Sequence, residues 1–317
     1  MKIGIVGTGK IVDELLSALL QVEDVSTEAI YPYHNRDKAK SLAAAYNINK
    51  VYIDYEDMLA DEGIDFIYIA LVNSAHYKYA KDALLAHKHV IVEKPFTTEY
   101  AAAEELFDIA CCNHLFLFEA VTLFYTPTYQ FIQESLPLIG TPKLIHCNYS
   151  QRSSRYDRYL ANDVAPAFDP ELGGGALMDI NIYNINLVVG LLGCPDNASY
   201  ISNKGFNGVD TSGVAILKYD EVVATCIGSK DADSPAYAYI QGDRGWIEVE
   251  GRPSELKKVN VVTDHGTKTM QLDGRHRLCY EFEEFSRIYS ANDYEAMQRQ
   301  KELTLHVAEI LHDLKPY

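Results

Sequence analysis

Along the first 120 residues, short unbroken apolar runs alternate with stretches whose apolar residues recur every three or four positions. The runs at 2–6, 66–71 and 89–92 carry β-formers with little polar alternation, as strands buried on both faces do. Between them, Ile11, Leu15, Leu16 and Leu19 fall at helical spacing, and so do Ala80, Ala83, Leu84 and His87. Further strands are predicted at 29–33, 50–53 and 115–118, and helices at 38–46, 55–60 and 99–112. Strands alternating with helices predict a parallel sheet with right-handed crossovers.

Beyond Glu119-Ala120 the pattern changes. A strand is predicted at 143–149, and Met178, Ile182, Ile185, Val189 and Leu192 then form a helical stripe. Strand pairs follow at 214–217 with 222–227, 237–241 with 246–249, and 258–263 with 268–272. Each pair is joined by a polar or glycine-containing turn, the pattern of antiparallel hairpins. Helices at 277–289 and 294–314 close the chain. Two domains are expected, 1–120 and 121–317, and 317 residues suffice for two cores.

Candidate chemistry gathers at the turns. The first strand runs straight into Gly7-Thr8-Gly9-Lys10-Ile11-Val12, the strand–turn–helix context of a dinucleotide fingerprint. Gly7 permits the tight turn. Gly9 lets backbone approach a pyrophosphate, and the amides opening the helix at Lys10 and Ile11 favour its charge. Val12 occupies the third glycine position, so a wider gap or a shifted helix is expected there. After the second strand, His34-Asn35-Arg36 stands where an NAD-preferring fold places an acid. Arg36 either pairs with a 2′-phosphate, which leans toward NADP, or simply opens the next helix.

The strand at 89–92 ends in Glu93-Lys94-Pro95, and Pro95, lacking an amide hydrogen, stops it. An acid and a lysine therefore sit at the carboxyl end of a central strand, where open α/β sheets bind ligands. Lys94 is either a proton-exchanging amine with a lowered pKa or an ordinary corner residue. Leu71 and Asn73-Ser74-Ala75-His76 lie at the same edge. In the second half, Gly173-Gly174-Gly175 precedes the helical stripe, with Asp179 and Tyr183 four apart on an adjoining face. The glycines either bring backbone close to a ligand or loosen a loop before a core helix. Arg155 and Tyr156 either bind substrate hydroxyls or a carboxylate, or belong to a solvated loop.

Composition narrows the classes. A formal net charge of −17 argues against a nucleic-acid partner. Six cysteines without a CxxC pair or metal spacing predict buried free thiols in a reducing compartment and no metal site. Met1-Lys2 leads directly into a strand, leaving no room for a signal peptide, and no apolar run approaches the roughly 20 residues of a membrane helix. The expectation is a cytoplasmic protein without a membrane partner.

Taken in order, Gly7-Thr8-Gly9, Asn73-Ser74-Ala75-His76, Glu93-Lys94-Pro95, the triple glycine with Asp179 and Tyr183, and the Ile240-Gln241-Gly242 and Gly245-Trp246-Ile247 hairpin resemble the Gfo/Idh/MocA family of NAD(P)-dependent oxidoreductases. The resemblance covers nearly the whole chain. It implies an α/β fold: an N-terminal Rossmann domain, then a C-terminal α/β domain with a large open, mainly antiparallel sheet. In the family that sheet often packs against a second subunit, so a homodimer or higher homo-oligomer is implied. The cofactor implied is NAD(P), held by Gly7, Thr8, Gly9, Lys10, Ile11, Asn35, Arg36, Leu71, Asn73, His76, Glu93 and Lys94. By the same resemblance Lys94 gives or takes the substrate proton, and Asp179 and Tyr183 lie on the facing helix. Many members carry His at the latter position; a tyrosine resembles the sugar and dihydrodiol branches. Two positions depart from the family, Phe124 for an arginine and Asn181 for a glycine. The implied reaction is hydride transfer between nicotinamide and a hydroxyl/carbonyl of a small molecule: a sugar, polyol or related diol. The alternatives are a catalytically silent NAD(P)-binding regulator and an NAD-dependent glycoside hydrolase.

Overall fold

In the computed structural model, which describes residues 1–316, the alternating runs become a six-stranded parallel sheet. In chain order its elements are β1 (Lys2–Val6), α1 (Lys10–Leu19), β2 (Ser26–Tyr31), α2 (Arg36–Tyr46), β3 (Lys50–Val51), α3 (Tyr55–Leu59), β4 (Phe66–Ile69), α4 (His76–Leu85), β5 (His89–Glu93), α5 (Tyr100–Cys112) and β6 (Leu117–Ala120). The strand order is β3-β2-β1-β4-β5-β6, with every pair parallel. Ile3, Ile5, Ile67, Ile69, Val90 and Val92 are fully buried, which is why these strands read as unbroken apolar runs. β2 lies three residues earlier than the predicted 29–33 at its start and ends before Pro32. The proline cannot donate to a ladder, and Tyr33 turns the chain with φ 36°.

The second unit holds α6 (Pro127–Ser135), β7 (Pro142–Ser150), α7 (Tyr156–Leu160), α8 (Ile182–Leu192), β8 (Asn197–Lys204), β9 (Asp210–Lys218), β10 (Val223–Ser229), β11 (Tyr237–Gly242), β12 (Gly245–Glu250), β13 (Lys258–Thr263) and β14 (Gly266–Gln271). Its eight-stranded sheet runs β14-β13-β12-β11-β7-β10-β9-β8. Every pair is antiparallel except β7–β10, so the sheet is mixed and mostly antiparallel. Two faces follow from the period of two along each strand. Ile247, Ile240, Ile145, Ala224 and Leu217 stand in one cross-strand row and are fully buried. The neighbouring row presents Trp246, Gln241 and Leu144 to the outside.

The sequence pattern does not predict α6 or β8. α6 opens with Pro127 behind Thr126, whose hydroxyl caps Tyr129 N–H at 3.2 Å. The stretch Pro170–Leu192 is long and apolar enough to cross a membrane by length and composition, contrary to the expectation that no such run exists. Its most apolar window is mostly buried inside the protein, and α8 packs on β7 and β10. Cys147, Cys226 and Cys279 are buried as expected, whereas Cys112 and Cys194 are exposed.

α9 (Arg277–Ser290) and α10 (Tyr294–Leu314) close the chain. The units comprise Met1–Ala120 with Leu278–Leu305, and Val121–Arg277 with residues from His306 onward. Residues 278–305, which the sequence reading groups with 121–317, thus pack with the parallel sheet. Phe282 meets Tyr68 at 5.8 Å between ring centroids, Phe285 stacks on Phe118 at 4.6 Å, and Tyr289 meets Phe66 edge-on at 5.0 Å.

Candidate active site

Gly7 turns the chain directly after β1. Its φ of +119° belongs to glycine, and a Cβ there would stand 2.3 Å from the carbonyl oxygen of Ala70. Its N–H is anchored on Tyr31 O at 2.8 Å. Gly9, the N-cap of α1, differs: a Cβ on it would meet no atom within 4 Å, and no side chain caps this helix. An open approach to uncapped helix amides fits a pyrophosphate. Val12 fills the third glycine position and is fully buried, so the helix accommodates it within the core. Thr8 is half-buried, Lys10 is exposed with Glu14 at 3.7 Å, and Ile11 is half-buried. Leu71 adjoins the turn, its Cδ2 3.4 Å from the position of a Gly7 Cβ.

At the end of β2, Asn35 caps α2: its Oδ1 accepts from Lys38 N–H at 2.9 Å. Arg36 is therefore the first helical residue, and its side chain is exposed. Tyr33 lies against His34 in a tilted arrangement at 4.0 Å and meets Tyr79 edge-on at 5.6 Å. The first acid after β2 is Asp37, already inside the helix.

The carboxyl ends of β4, β5 and β6 converge under Lys94. Glu93 is buried and accepts a hydrogen bond from the Tyr68 hydroxyl. Lys94 is half-buried, and its peptide bond to Pro95 is cis. Glu119, on β6, accepts from Phe96 N–H at 3.0 Å and so anchors the far side of the turn. Burial pushes the Glu119 carboxyl up to about 7, against hydrogen bonds from Thr304 and Phe96. His76 is fully buried, with Nδ1 2.9 Å from Pro95 O and Nε2 3.2 Å from Leu71 O. Burial lowers its pKa, and a neutral ring has one proton for those two carbonyls. The His76 side chain thus sits between the Leu71 and Pro95 turns and can donate to only one of their carbonyls at a time. Asn73 opens one of them and is half-buried.

In the second unit, Asp179 lies in a single π-helical turn, Leu177–Asn181, that leads into α8. Such turns add a residue to the helix and re-aim its side chains. Asp179 Oδ2 is 2.6 Å from Lys230 Nζ; the Asp179 side chain is 43% exposed, that of Lys230 only 3%. Tyr183 is half-buried against Tyr149, Ala176 and Ile180, its ring 5.9 Å from that of Tyr149. Gly175 has φ +119°, and a Cβ there would stand 2.0 Å from Asp210 Oδ1. This glycine is required by the protein's own packing. Asp210, fully buried, accepts from Leu177 N–H and the Tyr200 hydroxyl, both at 2.7 Å, and ties the start of the helix to β9.

Both departures from the family pattern are packing positions. Asn181 is buried and donates to Cys226 O at 2.8 Å; Asn184 donates to Ile227 O at 2.8 Å. The space a helix glycine would leave is supplied instead by Gly228, where a Cβ would stand 2.6 Å from that of Asn181. Phe124 lies where a side chain on Gly190 would otherwise go. Of the weaker candidates, Tyr156 packs on the Tyr159, Phe168 and Val209 cluster, and Arg155 is exposed at the start of α7. Lys230, the ion-pair partner of Asp179, is a residue that the sequence does not single out. Its signal is the one that flags Lys94, a lysine directly after an apolar strand. Among the described residues no group of three or more His, Cys, Asp or Glu is placed to hold a metal ion.

A family model described as an oxidoreductase family with an NAD-binding Rossmann fold matches residues 1–120, and one described as the GFO/IDH/MocA C-terminal domain matches 137–248. The scyllo-inositol 2-dehydrogenase (NADP(+)) IolU of Bacillus subtilis is 32% identical over 317 residues, 99% of this chain and 96% of its own. A trans-1,2-dihydrobenzene-1,2-diol dehydrogenase of Xenopus tropicalis is 29% identical, over 89% of this chain and 87% of its own. Among solved structures, the 3-ketoreductase KijD10 of Actinomadura kijaniata, with NADP and TDP-benzene, has a TM-score of 0.88 at 20% identity. That likeness spans 99% of this chain and 97% of the other and speaks for a shared fold. With both units matched, the glycine turn and the strand-end lysine have their explanation: the chain belongs to the Gfo/Idh/MocA family of NAD(P)-dependent oxidoreductases.

Proposed function

We propose that this enzyme is an NADP-preferring dehydrogenase or reductase acting on the hydroxyl/carbonyl pair of a sugar, polyol or related diol. The observation that carries the reading is Lys94, a half-buried amine at the carboxyl end of β5. Its turn is clamped by His76 and Glu119. Bound nicotinamide gives or takes the hydride; the protein must supply position and proton handling. In this reading Lys94 Nζ takes the hydroxyl proton during oxidation and returns it during reduction. By resemblance Tyr183 is the second candidate for proton handling, and Asp179 is the candidate for orienting a substrate hydroxyl. General acid–base help of this kind is typically worth roughly 10²–10⁴-fold. Tyr156, engaged in its aromatic cluster, leaves Arg155 as the candidate for outer polar contacts.

The NADP preference is supported by exposed Arg36 opening α2 and by the lack of an acid between the end of β2 and Asp37. Fluorescence titration should find NADPH binding at least about tenfold tighter than NADH, and Arg36→Ala should remove most of that difference. Tighter binding of NADH would overturn the preference. Turnover on a panel of inositols, aldoses and diols tests the reaction itself. A full panel without turnover would favour the silent regulator.

The outer sheet row with Trp246 and Leu144 supports a homodimer through this face, since exposed large apolar side chains side by side favour burial. Sedimentation should give twice the chain mass at micromolar concentration, and a monomer there would remove the dimer. A cytoplasmic location is supported by the cysteine usage and is checked by cell fractionation.

A further inference from the structure

We infer that Lys230 is a positioning residue for the reaction: it holds Asp179 as a fixed anion so that this carboxylate can accept a hydrogen bond from a substrate hydroxyl. The inference rests on the reading of Asp179 just given and extends it to a residue outside the family motifs. Lys230 follows β10 directly and is buried. Its ammonium is 2.6 Å from Asp179 Oδ2, donates to Ala167 O at 2.5 Å, and lies 4.5 Å from the centre of the Phe168 ring. Anion, carbonyl and ring face fix the ammonium from three directions.

Stability alone does not account for this arrangement. Burying an ammonium costs several kcal/mol before its partners repay it, and a well-packed apolar residue often serves a core as well. Nor is the pair needed to seat the helix. Asn181 and Asn184 already bond β10 carbonyls, and Gly228 admits the helix to close approach. The asymmetry of exposure indicates the direction of the effect. The cation is sealed inside and the carboxylate reaches outward, so the pair presents a negative acceptor whose orientation is set from within. A substrate with a second hydroxyl near the reacting carbon suits such an acceptor, which points to vicinal diols and polyols over simple alcohols.

The test compares Lys230→Met and Lys230→Gln with Lys230→Arg in steady-state kinetics on the best polyol of the panel, with NADPH binding measured alongside. A hydrogen bond to a charged group is worth about 1.5–3 kcal/mol, so Met and Gln should raise KM about 10- to 150-fold. Their kcat should fall less, and NADPH affinity should not change. Lys230→Arg should restore KM to within about threefold of the unmodified enzyme, and adding Lys230→Met to Asp179→Asn should change little beyond Asp179→Asn alone. Unchanged KM in both neutral variants, or multiplicative effects in the double variant, would overturn the inference. So would loss of folding in both neutral variants, which would make Lys230 a stability residue. If the unmodified enzyme turned over no polyol, the functional reading itself would fall and this inference with it. A polyol turned over equally well by all variants would remove Lys230 alone.

Discussion

Two strands, one in each unit, end in a lysine, and the two lysines live in opposite surroundings. Lys94 follows β5 half-buried, in a turn with buried Glu93 and Glu119 as neighbours. Lys230 follows β10 sealed from solvent, with its charge spent on the half-exposed Asp179. A group that exchanges protons with a substrate must reach it, and Lys94 retains that access. A group enclosed by its own protein can act only through a neighbour. Under the proposed mechanism the same residue type in the same place on a strand divides into a reacting group and a holding group, and burial is the difference between them.

The largest expected effect breaks the comparison if it fails. Lys94→Met should lower kcat by roughly 10²–10⁴ while leaving NADPH affinity intact, the reverse of the KM effect expected at Lys230. Steady-state kinetics beside fluorescence titration decide it. Full turnover in that variant, with kcat lost in Lys230→Met, would exchange the two roles.

A smaller effect sharpens the Lys94 side through pH. Glu119 is held near 7 in the folded protein against an ordinary 4.5. The unfolded chain therefore gives up this proton first as pH rises. The contribution is complete below about 4.5, drains across the interval, and is gone once pH passes about 7, a loss on the order of 3 kcal/mol. Glu119→Gln should flatten that slope and raise stability at pH 8 relative to the unmodified protein. Urea denaturation at pH 5 and pH 8 checks it, and parallel slopes in the two proteins would assign the buried carboxyl another state.

Much of this was legible in advance where chemistry and local pattern coincide. Gly7, Gly9 and Glu93-Lys94-Pro95 announce themselves because a strand, a breaker and a reactive residue are adjacent in sequence. Lys230 does not. It sits in the polar stretch Ser229-Lys230-Asp231-Ala232-Asp233, which reads as a solvated loop and masks the strand-end signal it shares with Lys94, and its partner lies far upstream. A long-range ion pair leaves no periodicity. His76 stood out in the sequence by its place after β4, and only the fold shows its ring between two carbonyls. β8 escaped because on this edge strand exposed Ile201 stands on the outer positions while Ser202 shares the half-buried positions of Ala198 and Tyr200, so apolar and polar residues do not alternate cleanly. Asn181 read only as a departure from the family pattern, and its compensation at Gly228 could be seen only with helix and strand side by side.

The aromatic seam between α9 and the parallel sheet carries a consequence for synthesis. Phe66, Tyr68 and Phe118 leave the ribosome long before Tyr289, Phe282 and Phe285, their covering partners. At about 5–20 residues per second, the nascent nucleotide-binding sheet waits on the order of ten seconds with that face bare. A fragment ending at residue 120 stays in that state permanently, so the cofactor-binding half is not a portable module.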